Sequence, residues 1–78
     1  MNVAIYTTPY CVYCKMAKEY FEKNNILYKE YDVASDLTAR AEMLNKSHQM
    51  GVPVIEINGE VIVGFNRSLV DKALGLAR

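Results

Sequence analysis

Residues 7–15 read Thr7-Thr8-Pro9-Tyr10-Cys11-Val12-Tyr13-Cys14-Lys15, and this stretch decides how the rest of the chain is interpreted. It follows a short apolar run that predicts a buried strand at Val3–Tyr6, and it leads into a helical pattern that starts at Val12. A Cys-x-x-Cys pair between a strand and a helix is typical of a redox-active dithiol. The unpaired N–H groups and the dipole at the start of a helix stabilise an anion, which favours a thiolate at Cys11. Such positions lower a thiol pKa from about 8.5 to roughly 3.5–7.5.

The two cysteines are expected to have different roles. Cys14 lies nearly one helical turn beyond Cys11 and should be more buried and less ionised. Cys11 is therefore predicted to attack a substrate disulfide and form a mixed disulfide, which Cys14 resolves by forming an internal disulfide. Lys15 adds a nearby positive charge, but its flexible, solvated side chain should have only a small effect.

Two other interpretations of the cysteines compete with this one. Structural zinc needs four ligands, and the chain offers only two cysteines and His48, so we expect no metal site within one chain. Both cysteines could instead be inert core residues, as free cysteine often is. The capping position of Cys11 argues against an inert role. A purely structural disulfide is also disfavoured, because so short a loop restricts the unfolded chain little.

Length and charge limit the classes of function. With 78 residues, the chain is predicted to be one domain, 1–78, without room for a second core. Nine basic residues balance nine acidic ones, so neither nucleic acid nor a membrane is an expected partner. The apolar run from Met1 to Ile5 lacks a basic leader and is too short for a signal peptide or a membrane span. We therefore expect a cytoplasmic location, where thiols are kept reduced.

The remaining segments predict the element order β-α-β-α-β-β-α. Ile26–Val33 suits a second strand, and Asn58-Gly59 between two β-rich runs is a strong hairpin signal. Those two runs are Val54–Ile57 and Val61–Val63. A crossover helix makes the first two strands parallel, whereas the hairpin is antiparallel. The expected fold class is α/β, with a four-stranded mixed sheet flanked by three helices.

Apolar residues at helical spacing predict the helices. The first runs from Val12 to about Asn24, and the last covers about 68–76. The second follows a cap at Ser35-Asp36. Its predicted core face is Leu37, Ala41 and Leu44. The apolar residues that recur at helical spacing in the first helix are Tyr13, Met16, Ala17, Tyr20 and Phe21. The predicted core face of the last helix is Leu69, Val70, Ala73 and Leu74.

A proline stands at the start of the third strand, in Gly51-Val52-Pro53-Val54. Alone, it could equally be an edge-strand marker, since a missing N–H is tolerable there. Beside a strand–Cys-x-x-Cys–helix unit, a cis Val52–Pro53 bond would turn the Val52 N–H and C=O toward solvent near Cys11. An extended substrate could pair with Val52 as an added strand.

Together these features resemble the glutaredoxin family over essentially the whole chain. The matching segments are Tyr6-Thr7-Thr8-Pro9-Tyr10-Cys11-Val12-Tyr13-Cys14, Val52-Pro53 and Gly64-Phe65-Asn66. The resemblance implies a thioredoxin-like fold, a cis proline at Pro53, and disulfide reduction with glutathione as the reducing co-substrate. We expect no bound cofactor. The residues expected to contact substrate or glutathione are Thr8, Tyr10, Tyr13, Val52, Pro53, Gly64, Phe65 and Asn66.

The sequence departs from the glutaredoxin pattern at positions that bear on glutathione. Thr8 stands where the family usually has a lysine for a glutathione carboxylate, and Asn66 where it has an aspartate for the ammonium group. The family's Gly-Gly pair is Val63-Gly64. Asn66 keeps an acceptor oxygen, and it is equally well explained as the cap of the last helix. Val12 and Gly64-Phe65 also resemble the small redoxins that serve ribonucleotide reductase and take electrons from thioredoxin reductase.

The sequence thus predicts a monomeric dithiol oxidoreductase that acts on disulfide-containing proteins. Glutathione is narrowly favoured over thioredoxin reductase as its electron donor. Alternatives from other classes are an iron–sulfur cluster carrier, in which two chains share a cluster through Cys11 and glutathione, and a binding module that senses the Cys11–Cys14 redox state. Tyr10 and Tyr13 flank Cys11 and are expected at a substrate-facing rim, because amphipathic rings suit interfaces. The tyrosines expected to pack in or near the core are Tyr6, Tyr20, Tyr28 and Tyr31.

Overall fold

The computed structural model describes residues 1–76, which form a four-stranded mixed sheet and three α-helices. The elements, in chain order, are β1 (Val3–Thr7), α1 (Val12–Lys23), β2 (Lys29–Asp32), α2 (Leu37–Ser47), β3 (Val54–Ile57), β4 (Glu60–Val63) and α3 (Arg67–Leu74). This order confirms the prediction. The predicted domain 1–78 includes two residues, Ala77 and Arg78, that lie outside the described residues. Within residues 1–76, every helix is too short or too polar to cross a bilayer.

The strands lie in the order β2-β1-β3-β4. As predicted, β1 pairs parallel with β2, and β3 forms an antiparallel hairpin with β4. Asn58 and Gly59 form the two-residue turn with positive φ values of 50° and 89°, as a tight hairpin of this kind requires. β3 is also antiparallel to β1, with Tyr6 opposite Val54 and Val54 opposite Val63. The carboxyl ends of β1 and β4 therefore meet the amino end of β3 at one end of the sheet.

Each face of the sheet has its own apolar cluster, because alternate residues of a strand point to opposite faces. On one face α1 and α3 cover Val3 and Ile5, and on the other α2 covers Tyr6. The buried members of the first cluster are Val3, Ile5, Ala17, Phe21, Ile55, Ile57, Ile62, Val70 and Leu74. Those of the second are Tyr6, Val33, Ala39, Met43 and Val54. The four tyrosines predicted to pack do so: Tyr6 is buried and stacks on Tyr31, and Tyr20 and Tyr28 lie against the first cluster.

The predicted core face of α2 is wrong. Leu37 is 73% exposed and Ala41 is also exposed, whereas Ala39 and Met43 are buried. Asp36 caps the helix by accepting a hydrogen bond from the Ala39 N–H at 3.0 Å, and Ala39 and Met43 pack in the second cluster. Both rows have helical spacing. The choice between them was therefore made by tertiary packing.

Smaller corrections concern residues near helix ends. On α3, Leu69 is exposed although it was predicted to face the core, and on α1 Tyr13 and Met16 are exposed although they follow the same helical spacing as the buried Ala17 and Phe21. The exposure of Tyr13 agrees with its predicted place at a rim. The second strand begins at Lys29 and not at Ile26, because the Ile26 N–H still bonds the Phe21 carbonyl at 2.8 Å. Such a bond closes a helix C-terminus.

We expect the buried row of α2 to control stability. Met43→Ala should lower the free energy of unfolding by about 2–5 kcal/mol, because it leaves a cavity in the core. Leu37→Ala removes an exposed side chain and should change it by less than about 0.5 kcal/mol. Urea unfolding of both variants, with the cysteines in the same redox state, checks this. A larger loss of stability in Leu37→Ala than in Met43→Ala would show that α2 packs through the face predicted from sequence.

Candidate active site

Cys11 caps the helix that carries both cysteines. Its backbone is extended, with φ −101° and ψ 111°, and its Sγ accepts a hydrogen bond from the Cys14 N–H at 3.1 Å. The first turn of α1 contains no acidic residue that would oppose a negative charge there. Because the unpaired N–H groups of a helix start carry partial positive charge, this position stabilises sulfur as a thiolate.

The two sulfurs differ in access. A disulfide joins Cys11 and Cys14, whose Cα atoms are 5.2 Å apart. Cys14 is 1% exposed, whereas Cys11 is half-buried. A partner sulfur can therefore approach Cys11 and not Cys14. The burial order is the one that the sequence predicted.

A groove of about 390 Å³ lies beside the disulfide. We call it the thiol groove. Its lining residues are Thr7, Thr8, Pro9, Cys11, Cys14, Lys15, Lys18, Glu30 and Asp32. Of the residues predicted for the site, it thus brings together both cysteines and Thr8.

Sequence reasoning missed the ion pair in this groove. Lys18 Nζ lies 2.8 Å from Glu30 Oε2, and the buried Thr7 hydroxyl donates to the same oxygen at 2.8 Å. The hydrogen bond from Lys18 holds the pKa of the Glu30 carboxyl below its usual range, with help from Thr7. Lys18 follows Cys14 by four residues, a spacing that shares a helix face and could have indicated it. Whether Glu30 reaches this groove depends on the register between β1 and β2, which the sequence does not specify.

Exposed apolar side chains lie close to Cys11 in sequence, just before α1 and in its first two turns. Tyr10 is 96% exposed and Tyr13 is 62% exposed, and Val12 and Met16 are exposed beside them. We call these four residues the apolar rim. Neighbouring exposed apolar side chains of this kind are typical of a binding surface.

The Val52–Pro53 peptide bond is cis, as predicted. Pro53 is buried, and its carbonyl accepts a hydrogen bond from the Gly64 N–H at 2.8 Å. Two predicted site segments are thereby joined at the end of the sheet from which the Cys11 loop leaves. Neither Pro53 nor Gly64 lines the thiol groove.

The segment after β4 leads into α3. Gly64 has a φ of 81°, a backbone conformation that favours glycine. The Phe65 ring packs against Tyr20, with the ring centroids 5.8 Å apart. Asn66 caps α3, because its Oδ1 accepts a hydrogen bond from the Leu69 N–H at 3.1 Å. Phe65 and Asn66 thus both have structural contacts at positions predicted to bind a ligand.

Comparison with known proteins identifies the family. The family model for glutaredoxin matches residues 3–62. The chain belongs to the glutaredoxin family. It is 47% identical over 72 residues to an uncharacterised glutaredoxin-like 8.6 kDa protein in the rubredoxin operon of Clostridium pasteurianum, covering 92% of this chain and 96% of that protein.

Solved structures with the same fold are also similar. The thioredoxin-like protein BC3987 is 33% identical, with a TM-score of 0.87, over 92% of this chain and 99% of that one. The glutaredoxin-like NrdH-redoxin from Escherichia coli is 25% identical, with a TM-score of 0.81, over 92% and 93% of the two chains. The fold is therefore thioredoxin-like, and the chain is a thiol–disulfide oxidoreductase of the glutaredoxin family.

The cap formed by Asn66 can be tested directly. Asn66→Ala should lower the free energy of unfolding by about 1 kcal/mol, because the Leu69 N–H loses its partner. Asn66→Asp should retain the stability, since a carboxylate accepts the same bond and suits a helix N-terminus. Thermal and urea unfolding of the two variants provide the measurement. Equal stability of Asn66→Ala and the parent chain would show that the cap contributes nothing.

Proposed function

We propose that this chain reduces protein disulfides by a two-thiol mechanism in which Cys11 attacks and Cys14 resolves. The observation that carries the proposal is the difference between the two sulfurs. Cys11 caps α1 and is half-buried, whereas Cys14 is 1% exposed. The sulfur that can be reached is also the one that the helix start stabilises as a thiolate.

The exchange proceeds in two displacements. The Cys11 thiolate attacks one sulfur of the substrate disulfide, and the other substrate sulfur leaves with the electron pair. The Cys14 thiolate then attacks Cys11 Sγ, which forms the internal disulfide and releases the second substrate sulfur as a thiolate. The substrate gains two electrons, and the chain is left oxidised until an external reductant restores both thiols.

A protein substrate suits the surface around Cys11. The apolar rim offers contacts to apolar side chains that flank a substrate cysteine. The Val52 backbone forms no hydrogen bond within residues 1–76. Its N–H and C=O are available to pair with an extended substrate segment.

Exchanging each cysteine for serine tests the two roles. Cys11→Ser should abolish disulfide reduction, because no other thiolate can begin the exchange. Cys14→Ser should accumulate mixed disulfides with protein substrates, visible by intact mass under non-reducing conditions. Substantial activity in Cys11→Ser, or alkylation of Cys14 before Cys11 in the reduced chain at neutral pH, would contradict this assignment.

For the electron donor, we propose glutathione, acting weakly. Space is open beside Gly64, where an added Cβ atom would meet no atom of residues 1–76 within 4 Å other than those of its chain neighbours, and Asn66 supplies an acceptor oxygen for the ammonium group. Against strong binding, Thr8 is uncharged, and the Asn66 oxygen already accepts from Leu69. The first turn of α3 also contains no acidic residue. Two charged contacts are thus replaced by neutral ones.

The same observations favour a second candidate, a redoxin reduced by thioredoxin reductase. Such a donor binds as a protein and would use the apolar rim instead of charged contacts to a tripeptide. The NrdH-redoxin from Escherichia coli, which has a thioredoxin-like activity profile, supports this candidate by its similarity. The dithiol chemistry is the same in both cases.

A turnover assay with both reducing systems separates the two donors. We expect measurable but slow turnover with glutathione. Thr8→Lys combined with Asn66→Asp should speed it by about tenfold or more, because hydrogen bonds to charged groups contribute about 1.5–3 kcal/mol.

Turnover with thioredoxin reductase serves as the control and should not rise in the double variant. Rapid turnover of the parent chain with thioredoxin reductase and none with glutathione would overturn the glutathione proposal and establish the second candidate.

A further inference from the structure

The resolving step requires the buried Cys14 thiol to lose its proton. Burial disfavours a charged thiolate and so raises the pKa of a thiol. Cys14 is 1% exposed, yet it must lose its proton before it can attack Cys11 Sγ. The start of α1 favours a thiolate at Cys11, not at Cys14. The charged groups that line the groove beside Cys14 therefore influence how easily the Cys14 thiol ionises.

Four charged side chains line the thiol groove. Lys15 and Lys18 come from α1, and Glu30 and Asp32 belong to β2. Asp32 accepts a hydrogen bond from the Ala34 N–H at 2.9 Å, in the turn that follows its strand. Among residues 1–76, two positive and two negative side chains therefore line the groove beside the disulfide, and their charges sum to zero.

Among these four side chains, Lys18 and Glu30 form a salt bridge with each other. Their salt bridge is 2.8 Å long, and the buried Thr7 hydroxyl fixes the same Glu30 oxygen. Lys18 follows Cys14 by one helical turn and shares its face of α1. A carboxylate left alone in this groove would raise the pKa of a neighbouring thiol, and an ammonium group left alone would lower it. When the two groups are paired, their effects on the thiol pKa largely cancel.

We propose that the Lys18–Glu30 pair sets how readily the Cys14 thiol loses its proton, with both side chains acting as positioning residues for the resolving step. The positive charge of Lys18 favours the Cys14 thiolate, and the negative charge of Glu30, which pairs with Lys18, weakens this effect. The two opposite charges together neither strongly favour nor strongly oppose the Cys14 thiolate. This proposal rests on the proposed role of Cys14 as the resolving thiol.

The step itself conserves atoms and electrons. The proton of the Cys14 thiol passes to solvent water in the groove. The resulting thiolate forms the Cys14–Cys11 bond, and the bond between Cys11 and the substrate sulfur breaks. The electron pair leaves on the substrate sulfur, which takes up a proton from water. Neither Lys18 nor Glu30 is consumed or changed.

Titration of Cys14 in a Cys11→Ser chain tests the proposal without any turnover. Thiolate ultraviolet absorbance is followed against pH, and a chain with both cysteines changed to serine supplies the tyrosine background. Lys18→Met should raise the pKa of Cys14 and Glu30→Gln should lower it, each by about 0.5–1 pH unit. The double variant should titrate close to the parent, because the two removed charges cancel.

A second ion pair provides a matched control. Lys46 Nζ lies 2.7 Å from Glu56 Oε1, and neither residue lines the thiol groove. Lys46→Met and Glu56→Gln should leave the Cys14 titration unchanged. Lys18→Arg keeps the charge and should restore the parent titration, which a purely structural role of Lys18 would not require.

Shifts of the same sign in Lys18→Met and Glu30→Gln would overturn the proposal, as would shifts equal to those of the Lys46 and Glu56 controls. If Cys14→Ser instead proves fully active while the titrations shift as expected, the proposed function fails and the electrostatic role of the pair stands. The two failures are therefore distinguishable.

Discussion

The antiparallel pairing of β3 with β1 is the constraint on which the site depends. Tyr6 lies opposite Val54, so the start of β3 stands beside the end of β1. Had β3 been parallel to β1, Val52 and Pro53 would lie at the far end of the sheet from the Cys11 loop. The hairpin then adds Gly64 to the same end, where its N–H bonds the Pro53 carbonyl at 2.8 Å. Three segments distant in sequence thus meet through backbone pairing at the end of the sheet from which the Cys11 loop leaves.

The parts of this molecule that sequence predicts well are those that local chemistry determines. The cap at Cys11, the turn at Asn58-Gly59 and the element order follow from short-range rules on capping, positive φ and periodicity. The core face of α2 does not. Leu37–Ala41–Leu44 and Ala39–Met43 both have helical spacing, and only packing on the sheet selects the second row. A marginal apolar excess on one side of a helix is therefore weak evidence of its orientation.

The charged lining of the thiol groove illustrates the same limit. Lys18 could be inferred beside Cys14 from helical spacing alone. Its partner Glu30 comes from β2, where alternate residues face opposite sides and the register with β1 decides which of them reaches the groove. The sequence identifies the two cysteines and the helix that carries them. The electrostatic field around Cys14 depends on both α1 and β2, which only the folded structure brings together.

One contact between helices bears on how the site behaves with pH. The Tyr20 hydroxyl of α1 donates a hydrogen bond to Asp71 of α3, and the Arg67 guanidinium lies 4.7 Å from the Tyr20 ring centroid. This link ties the helix that carries both sulfurs to the helix that follows Gly64. The hydrogen bond to Asp71 raises the pKa of Tyr20, with desolvation adding to the effect. The hydroxyl therefore keeps its proton throughout the range in which a capped thiol ionises. The donor of this contact between the two helices therefore does not lose its proton together with the thiols.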